Sequence, residues 1–129
     1  MRTTILLIED NEQNRYLATF LLEKRGYAVI PANDGPQGIE CAGRFLPHLI
    51  LLDIQLPSMD GYAVAQALRD NPALAGIPIV AVTSYAMPGD REKALAAGCN
   101  GYIEKPINPE TFVTEIEHFL DDPGKEPPQ

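Results

Sequence analysis

Five stretches of the chain are rich in aliphatic residues with little polar alternation: Thr4–Ile8, Tyr27–Pro31, Leu49–Asp53, Ile77–Val82 and Gly101–Glu104. Runs of this length and kind predict strands buried on both faces, as in a parallel sheet. Pro31 places the second of them near a sheet edge, where a missing N–H costs least. The third, preceded by His48, is the most apolar and reads as the central strand. Between the strands the apolar positions recur at helical spacing. Asn11 is placed to cap a helix that turns Leu17, Phe20 and Leu21 to one face, and Gly26 ends it after Lys24 and Arg25. After the Asn33-Asp34-Gly35 turn, Ile39, Ala42, Phe45 and Leu46 mark a second helix, stopped by Pro47. Val64, Ala65 and Leu68 mark a third from Gly61 to Arg69, broken by Asn71-Pro72 and Gly76. Pro88 and Gly89 open a short Ala-rich helix that runs to Ala97 and stops at Gly98. Asn108-Pro109-Glu110 is a start signal for the last, with Phe112, Val113, Ile116, Phe119 and Leu120 on its core face.

Strands alternating with helices at intervals of roughly 20–30 residues predict a doubly wound α/β fold, a five-stranded parallel sheet with five helices. The flavodoxin-like strand order 2-1-3-4-5 is the natural choice, because it sets the first and third strands side by side at the switch point. Ligands of such sheets bind outside the carboxyl ends of the strands. The first strand ends in Glu9 and Asp10 and the third in Asp53; the fourth and fifth bring Thr83 and Lys105 to the same rim.

Composition narrows the chemistry. A chain of 129 residues is the size of one domain. Its formal charge of −8, with 18 acidic residues against 10 Lys and Arg and no basic cluster, argues against nucleic-acid or anionic-membrane partners. No apolar run approaches the ~20 residues of a membrane span, and residues 5–8 are too short for a signal-peptide core, so the expected location is the cytoplasm. Cys41 and Cys99, far apart and without a CxxC, read as reduced structural thiols. Residues 122–129 have the acidic, Pro-rich composition of a disordered tail.

Glu9 and Asp10, taken singly, are acids before a helix that favour its dipole. Beside Asp53 they make a cluster of hard oxygen ligands without His or Cys, the set that suits Mg²⁺. Asp10-side repulsion toward phosphate would then be reversed. Lys105 is either a structural counter-ion to these acids or, with the Thr83 hydroxyl, part of a site for phosphoryl oxygens. A carboxylate at that point can itself be the nucleophile. Competing readings are weaker. A flavin or nucleotide enzyme on this fold should have a Gly-, Ser- or Thr-rich first loop, not Glu9-Asp10-Asn11-Glu12. An aspartate-nucleophile phosphatase should carry a second acid where this chain has Gln55.

Glu9-Asp10-Asn11, Asp53 followed by Pro57 and Asp60-Gly61, Thr83-Ser84 and Lys105-Pro106 together resemble the receiver domain of two-component response regulators. The resemblance runs from residue 4 to about 120, and its details are closer to stand-alone regulators of the DivK type than to CheY. A receiver used only as a scaffold is disfavoured, since no motif position is substituted. The resemblance implies a receiver domain over residues 1–121. Asp53 would accept a phosphoryl group from a histidine kinase or a histidine phosphotransfer protein. Asp10, Asp53 and the backbone carbonyl of Gln55 would ligate Mg²⁺, with Glu9 acting through water. Thr83 and Lys105 would bind phosphoryl oxygens, and Tyr102 would be the aromatic switch partner of Thr83; as a bare residue, Tyr102 is a rim aromatic. The Lys105–Pro106 bond would be cis. Such a protein is not an enzyme beyond its own phosphorylation and dephosphorylation. It would signal as a monomer or weak dimer to a protein target through the fourth helix, fifth strand and fifth helix. No effector domain follows in this chain, which would otherwise be a fragment of a hybrid kinase. Gln55 and Tyr85 would flank the approach of hydrolytic water; a bulky Tyr85 is expected either to prolong the phosphorylated state or simply to pack on the fourth helix.

Overall fold

Leu49–Asp53 is buried at every residue because it is covered on both edges and both faces. This strand, β3, lies at the centre of one parallel sheet with β1 (Thr4–Ile8), β2 (Ala28–Ala32), β4 (Ile79–Thr83) and β5 (Gly101–Glu104), in the order β2-β1-β3-β4-β5. Five α-helices connect and flank them: α1 (Glu12–Lys24), α2 (Gly35–Phe45), α3 (Gly61–Asp70), α4 (Asp90–Ala96) and α5 (Phe112–Asp121), with a 3-10 turn at Pro72–Leu74. The computed structural model describes residues 3–56, 59–84 and 88–121.

The period of two along each strand divides the core into two layers. Leu6, Ile8, Ile50, Leu52, Ile79 and Ala81 pack with Ala42, Val64, Leu68 and Ala94, from α2, α3 and α4. Ile5, Leu7, Leu49, Leu51, Val80 and Val82 pack on the other face with Ala18, Leu22, Phe112 and Ile116, from α1 and α5. With both faces apolar, alternation disappears from the sequence, which is why β1, β3 and β4 read as continuous aliphatic runs. Strand β2 lies at the edge, where Pro31 is tolerated.

Helix starts follow the capping residues. Asn11 accepts the N–H of Asn14 at 2.9 Å, Asp34 that of Gln37 at 2.8 Å, and Asp60 that of Tyr62 at 3.0 Å. The last helix begins later than its start signal. Asn108 accepts the Glu110 N–H through its side chain and the Phe112 N–H through its carbonyl, both at 2.9 Å, so residues 109–111 form a turn leading into α5.

Two expected helix faces are corrected. On α1 the fully buried residues are Ala18 and Leu22; Leu17 and Leu21 are half-buried and Phe20 is half-exposed. On α2, Ala42 is buried and Ile39 partly so, but Phe45 and Leu46 are about half-exposed. The small Ala and Gly side chains of these helices take the positions against the sheet. The aromatics are covered instead by cations on their own helices: the Lys24 ammonium lies 5.9 Å from the Phe20 ring centre and the Arg44 guanidinium 5.3 Å from that of Phe45. Leu46 also leaves the helical conformation, with φ at 48°. Strands β2 and β4 begin one and two residues later than their patterns predict, and no helix among the described residues is long and apolar enough to cross a membrane. The tail at 122–129 lies outside the described residues.

The start of α3 is pressed against the backbone after β3. A Cβ on Gly61 would stand 2.4 Å from the Cα of Ile54, and the Gly61 N–H donates to the Ile54 carbonyl at 3.1 Å. Backbone cannot move aside as a side chain can. Gly61→Ala should therefore destabilise the fold by about 1–3 kcal/mol, read as a lower urea midpoint with an unchanged slope.

Candidate functional site at the carboxyl ends of the strands

The sheet hydrogen bonds continue one residue beyond the strands and fix the rim. Glu9 N–H donates to the Ala32 carbonyl at 3.0 Å, Ile54 N–H to Val82 at 3.0 Å and Lys105 N–H to Thr83 at 2.7 Å. Glu9, Asp53, Thr83 and Lys105 thus stand at the ends of four neighbouring strands, β1, β3, β4 and β5, and their positions are set by register rather than by loops.

The Lys105 ammonium is 2.8 Å from Glu9 Oε1 and 3.3 Å from Asp53 Oδ2. Glu9 and Asp53 are each only 4 % exposed. Among the described residues, one ammonium therefore serves two buried carboxylates and compensates one of the two negative charges. Burial, and then the hydrogen-bonded neighbour Glu9, push the Asp53 carboxyl up to about 6. Burial alone would lower Lys105, but its hydrogen bond to Glu9 and the negative charge of Asp53 outweigh that and raise it, so it stays charged. The other Asp53 oxygen, Oδ1, accepts the Gln55 N–H at 2.9 Å. Glu9 Oε2 accepts the Asn11 N–H at 3.2 Å.

Asp10 is exposed and lies at the open side of this pair. Glu9, Asp10 and Asp53 can each offer an oxygen such that all lie within 4.8 Å of one another. The donors are hard and anionic, and among the described residues Glu9 and Asp53 share one ammonium, so a cation would relieve their repulsion. The set therefore fits a divalent ion such as Mg²⁺. Thr83 is buried at the end of β4, and Tyr102 packs its ring against the core from β5. The Tyr102 hydroxyl is buried with no hydrogen-bond partner among the described residues. The Lys105–Pro106 peptide is cis.

Residues 5–117 match the response regulator receiver domain family. The chain belongs to that family. It is 40% identical over 122 residues to the polar-differentiation response regulator DivK of Brucella anthropi, covering 95% of this chain and 99% of that protein. The receiver domain of a sensor histidine kinase of Pseudomonas aeruginosa, solved with a magnesium ion coordinated in its active-site cleft, is similar at a TM-score of 0.87 and 34% identity, over 95% of this chain and 100% of that one. Chemotaxis protein CheY4 of Vibrio cholerae is similar at a TM-score of 0.86 and 26% identity, over 91% and 98% of the two chains. The chain is thus a response-regulator receiver, similar over nearly its whole length to DivK, with a phosphoacceptor fold and an acidic site.

Two contacts at the rim escape the motif reading. Arg15 donates through Nη1 to the backbone carbonyls of Glu9 at 2.9 Å and Asp10 at 3.3 Å, bracing the acidic loop without neutralising its carboxylates. Gln55 Oε1 accepts the Ser84 N–H at 3.1 Å, joining the segments that leave β3 and β4. Neither residue is marked by hydrophobic period; only the position of Arg15, on the first turn after the acidic pair, hints at its contact. Pro57 and Tyr85 lie outside the described residues.

A carboxyl raised from its ordinary 3.8 to about 6 keeps in the folded state a proton that the unfolded chain releases. Stability in metal-free buffer should fall as pH rises from about 4 through 6. Asp53→Asn should remove most of that slope and stabilise the protein at pH 7 by about 1–3 kcal/mol. Urea midpoints of both proteins in EDTA, from pH 4 to 7, test this.

Proposed function

We propose that Asp53 is the phosphoryl acceptor of this receiver and that Glu9, Asp10, Thr83 and Lys105 form its reaction site. The observation that carries the reading is the position of Asp53: it closes β3, the central strand, between the acidic end of β1 and the Lys105 ammonium. A carboxylate oxygen of Asp53 would bond to the donor phosphorus as the bond from phosphorus to the leaving group breaks. The leaving imidazole of a phosphohistidine, or acetate from acetyl phosphate, departs with the electron pair. Asp10 and Asp53, with the Gln55 carbonyl, would hold Mg²⁺ directly, and Glu9 through water. The ion would neutralise the acidic rim and stabilise charge on the transferring group.

The protein's own groups complete the step. Lys105, held charged by its two carboxylate neighbours, can turn from Asp53 toward the incoming phosphoryl oxygens. Thr83 offers its hydroxyl from the next strand. The acceptor must be ionised to attack, and with its carboxyl pushed up to about 6 by burial, protonation opposes the reaction in mild acid. No further enzymatic activity is assigned; the domain serves its own phosphorylation and dephosphorylation.

The donor would be a sensor histidine kinase or a histidine phosphotransfer protein, and the setting the cytoplasm. The output would be a protein contact read on α4, β5 and α5. A phosphoryl group adds about −1.5 to −2 charges at the rim. Thr83 would move toward it, and Tyr102 would follow into the vacated space, shifting a two-state equilibrium. The Tyr102 hydroxyl, buried and without a partner among the described residues, supports this, because a buried hydroxyl without a hydrogen bond favours any arrangement that supplies one. Residues 1–121 would form the receiver and 122–129 a tail.

Incubation with Mg²⁺ and acetyl phosphate should add one phosphoryl mass to the wild-type chain. Asp53→Asn should abolish the gain entirely, and EDTA should suppress it in wild type; a label that survives the substitution and maps elsewhere removes Asp53 from the role.

Tyr102→Ala should leave labelling intact yet reduce the preference of a downstream protein for the phosphorylated form by about fivefold or more. Equal discrimination by wild type and variant, in paired affinity measurements, would take Tyr102 out of the switch.

A further inference from the structure

Arg15 stands where a helix has little use for a cation. It lies in the first turn of α1, the positive end of the helix dipole, where acids are favoured and a guanidinium is not. Its side chain reaches back toward the N-terminus, and Nη1 donates to two backbone carbonyls, Glu9 at 2.9 Å and Asp10 at 3.3 Å. Those carbonyls belong to the two peptide units on either side of the Asp10 Cα. Each peptide unit is planar, so a residue turns only about the two bonds that join it to its flanking units. A donor that holds both units restrains both rotations, and with them the direction of the Asp10 side chain. Glu9 and Asp53 are anchored through their own oxygens, Glu9 by Lys105 and the Asn11 N–H, Asp53 by Lys105 and the Gln55 N–H. Asp10 is exposed, and among the described residues it makes no other hydrogen bond than the one from Arg15. It is the member of the acidic set placed by its backbone alone.

We propose that Arg15 is a positioning residue that sets both the strength of Mg²⁺ binding at the rim and the preference of the rim for Mg²⁺ over Ca²⁺. The proposal rests on the reading of Glu9, Asp10 and Asp53 as the metal site. Mg²⁺ is small and demands near-octahedral ligands at about 2.0–2.1 Å, whereas Ca²⁺ takes oxygens at about 2.3–2.6 Å in flexible geometry. A carboxylate held in one direction therefore favours Mg²⁺; one free to swing serves Ca²⁺ nearly as well. Charge alone gives the opposite expectation. A guanidinium beside the acids repels a divalent cation, so its removal would tighten both metals. Through the brace, its removal weakens Mg²⁺ and spares Ca²⁺. The two effects differ in sign.

Wild type, Arg15→Met and Arg15→Lys, all full length, are freed of metal with a chelator and titrated with Mg²⁺ and with Ca²⁺ at a pH well above that of the Asp53 carboxyl. The amide signals of Asp10 and Gln55 in ¹⁵N–¹H spectra report binding, with no phosphodonor present. Arg15→Met should bind Mg²⁺ about tenfold more weakly than wild type, and Ca²⁺ within about threefold of it. Arg15→Lys, which keeps the charge but not the planar fork, should fall between them. Mg²⁺ binding that is unchanged or tightened in Arg15→Met overturns the proposal. So does an equal loss for both metals, the mark of a general loosening of the fold. Should Arg15→Met fail to fold, Arg15→Lys carries the test: weaker Mg²⁺ with Ca²⁺ retained supports the brace, and any other pattern overturns it. If wild type shows no saturable Mg²⁺ response, the metal reading itself fails and the brace falls with it. A saturable wild-type response matched by the variants fails the brace alone.

Discussion

Glu9 and Asp53 are buried and, among the described residues, share one ammonium, Lys105; the carboxyl end of the sheet is arranged around that imbalance. Two ionised carboxylates this far from water repel each other, and one lysine compensates only half of their charge. The result is a carboxyl on Asp53 raised to about 6 by burial and by its acidic neighbour, beside a lysine held firmly charged. A surplus of negative charge at this rim suits the domain to a divalent cation, and with the cation to an anionic phosphoryl group. Function here begins as an electrostatic debt left open by the fold.

The debt persists because the sheet does not allow the acids to move apart. Glu9, Asp53, Thr83 and Lys105 sit at strand ends whose flanking hydrogen bonds run into the neighbouring strands, and both faces beneath them are filled by aliphatic side chains. At the start of α3, Gly61 lies against the backbone of Ile54 and fixes the entry to the helix that follows the loop after Asp53. A rim made of register rather than of loops keeps its charges in place while leaving Asp10 and Ser84 exposed.

The similarity to the magnesium-bound receiver of the Pseudomonas kinase and to CheY4 spans more than nine-tenths of this chain at identities of 34% and 26%. At such identities most side chains differ, whereas layer order, register and the polar strand ends can be kept by many sequences. The fold tolerates that divergence because layer order and strand pairing are set by the backbone and by which faces are apolar.

The sequence by itself determined the class of fold, the strand order and the members of the rim. Continuous aliphatic runs such as Leu49–Leu52 are possible only where both faces are covered, and the topology then brings Glu9, Asp10, Asp53, Thr83 and Lys105 to one edge. Helix faces were less legible. On α1 and α2 the larger apolar residues, Phe20, Phe45 and Leu46, face outward beside Lys24 and Arg44, while Ala18, Gly38 and Ala42 meet the sheet. Close helix–sheet packing selects small residues; a Cβ on Gly38 would stand 2.4 Å from the Ile8 side chain. Tertiary structure alone decided the charge state of the rim, because burial sets the energy of Asp53 and burial is a property of the assembled core. It alone also paired Arg15 with the carbonyls of the acidic loop and Gln55 with Ser84, contacts of flexible polar side chains for which the pattern of apolar positions carries no signal.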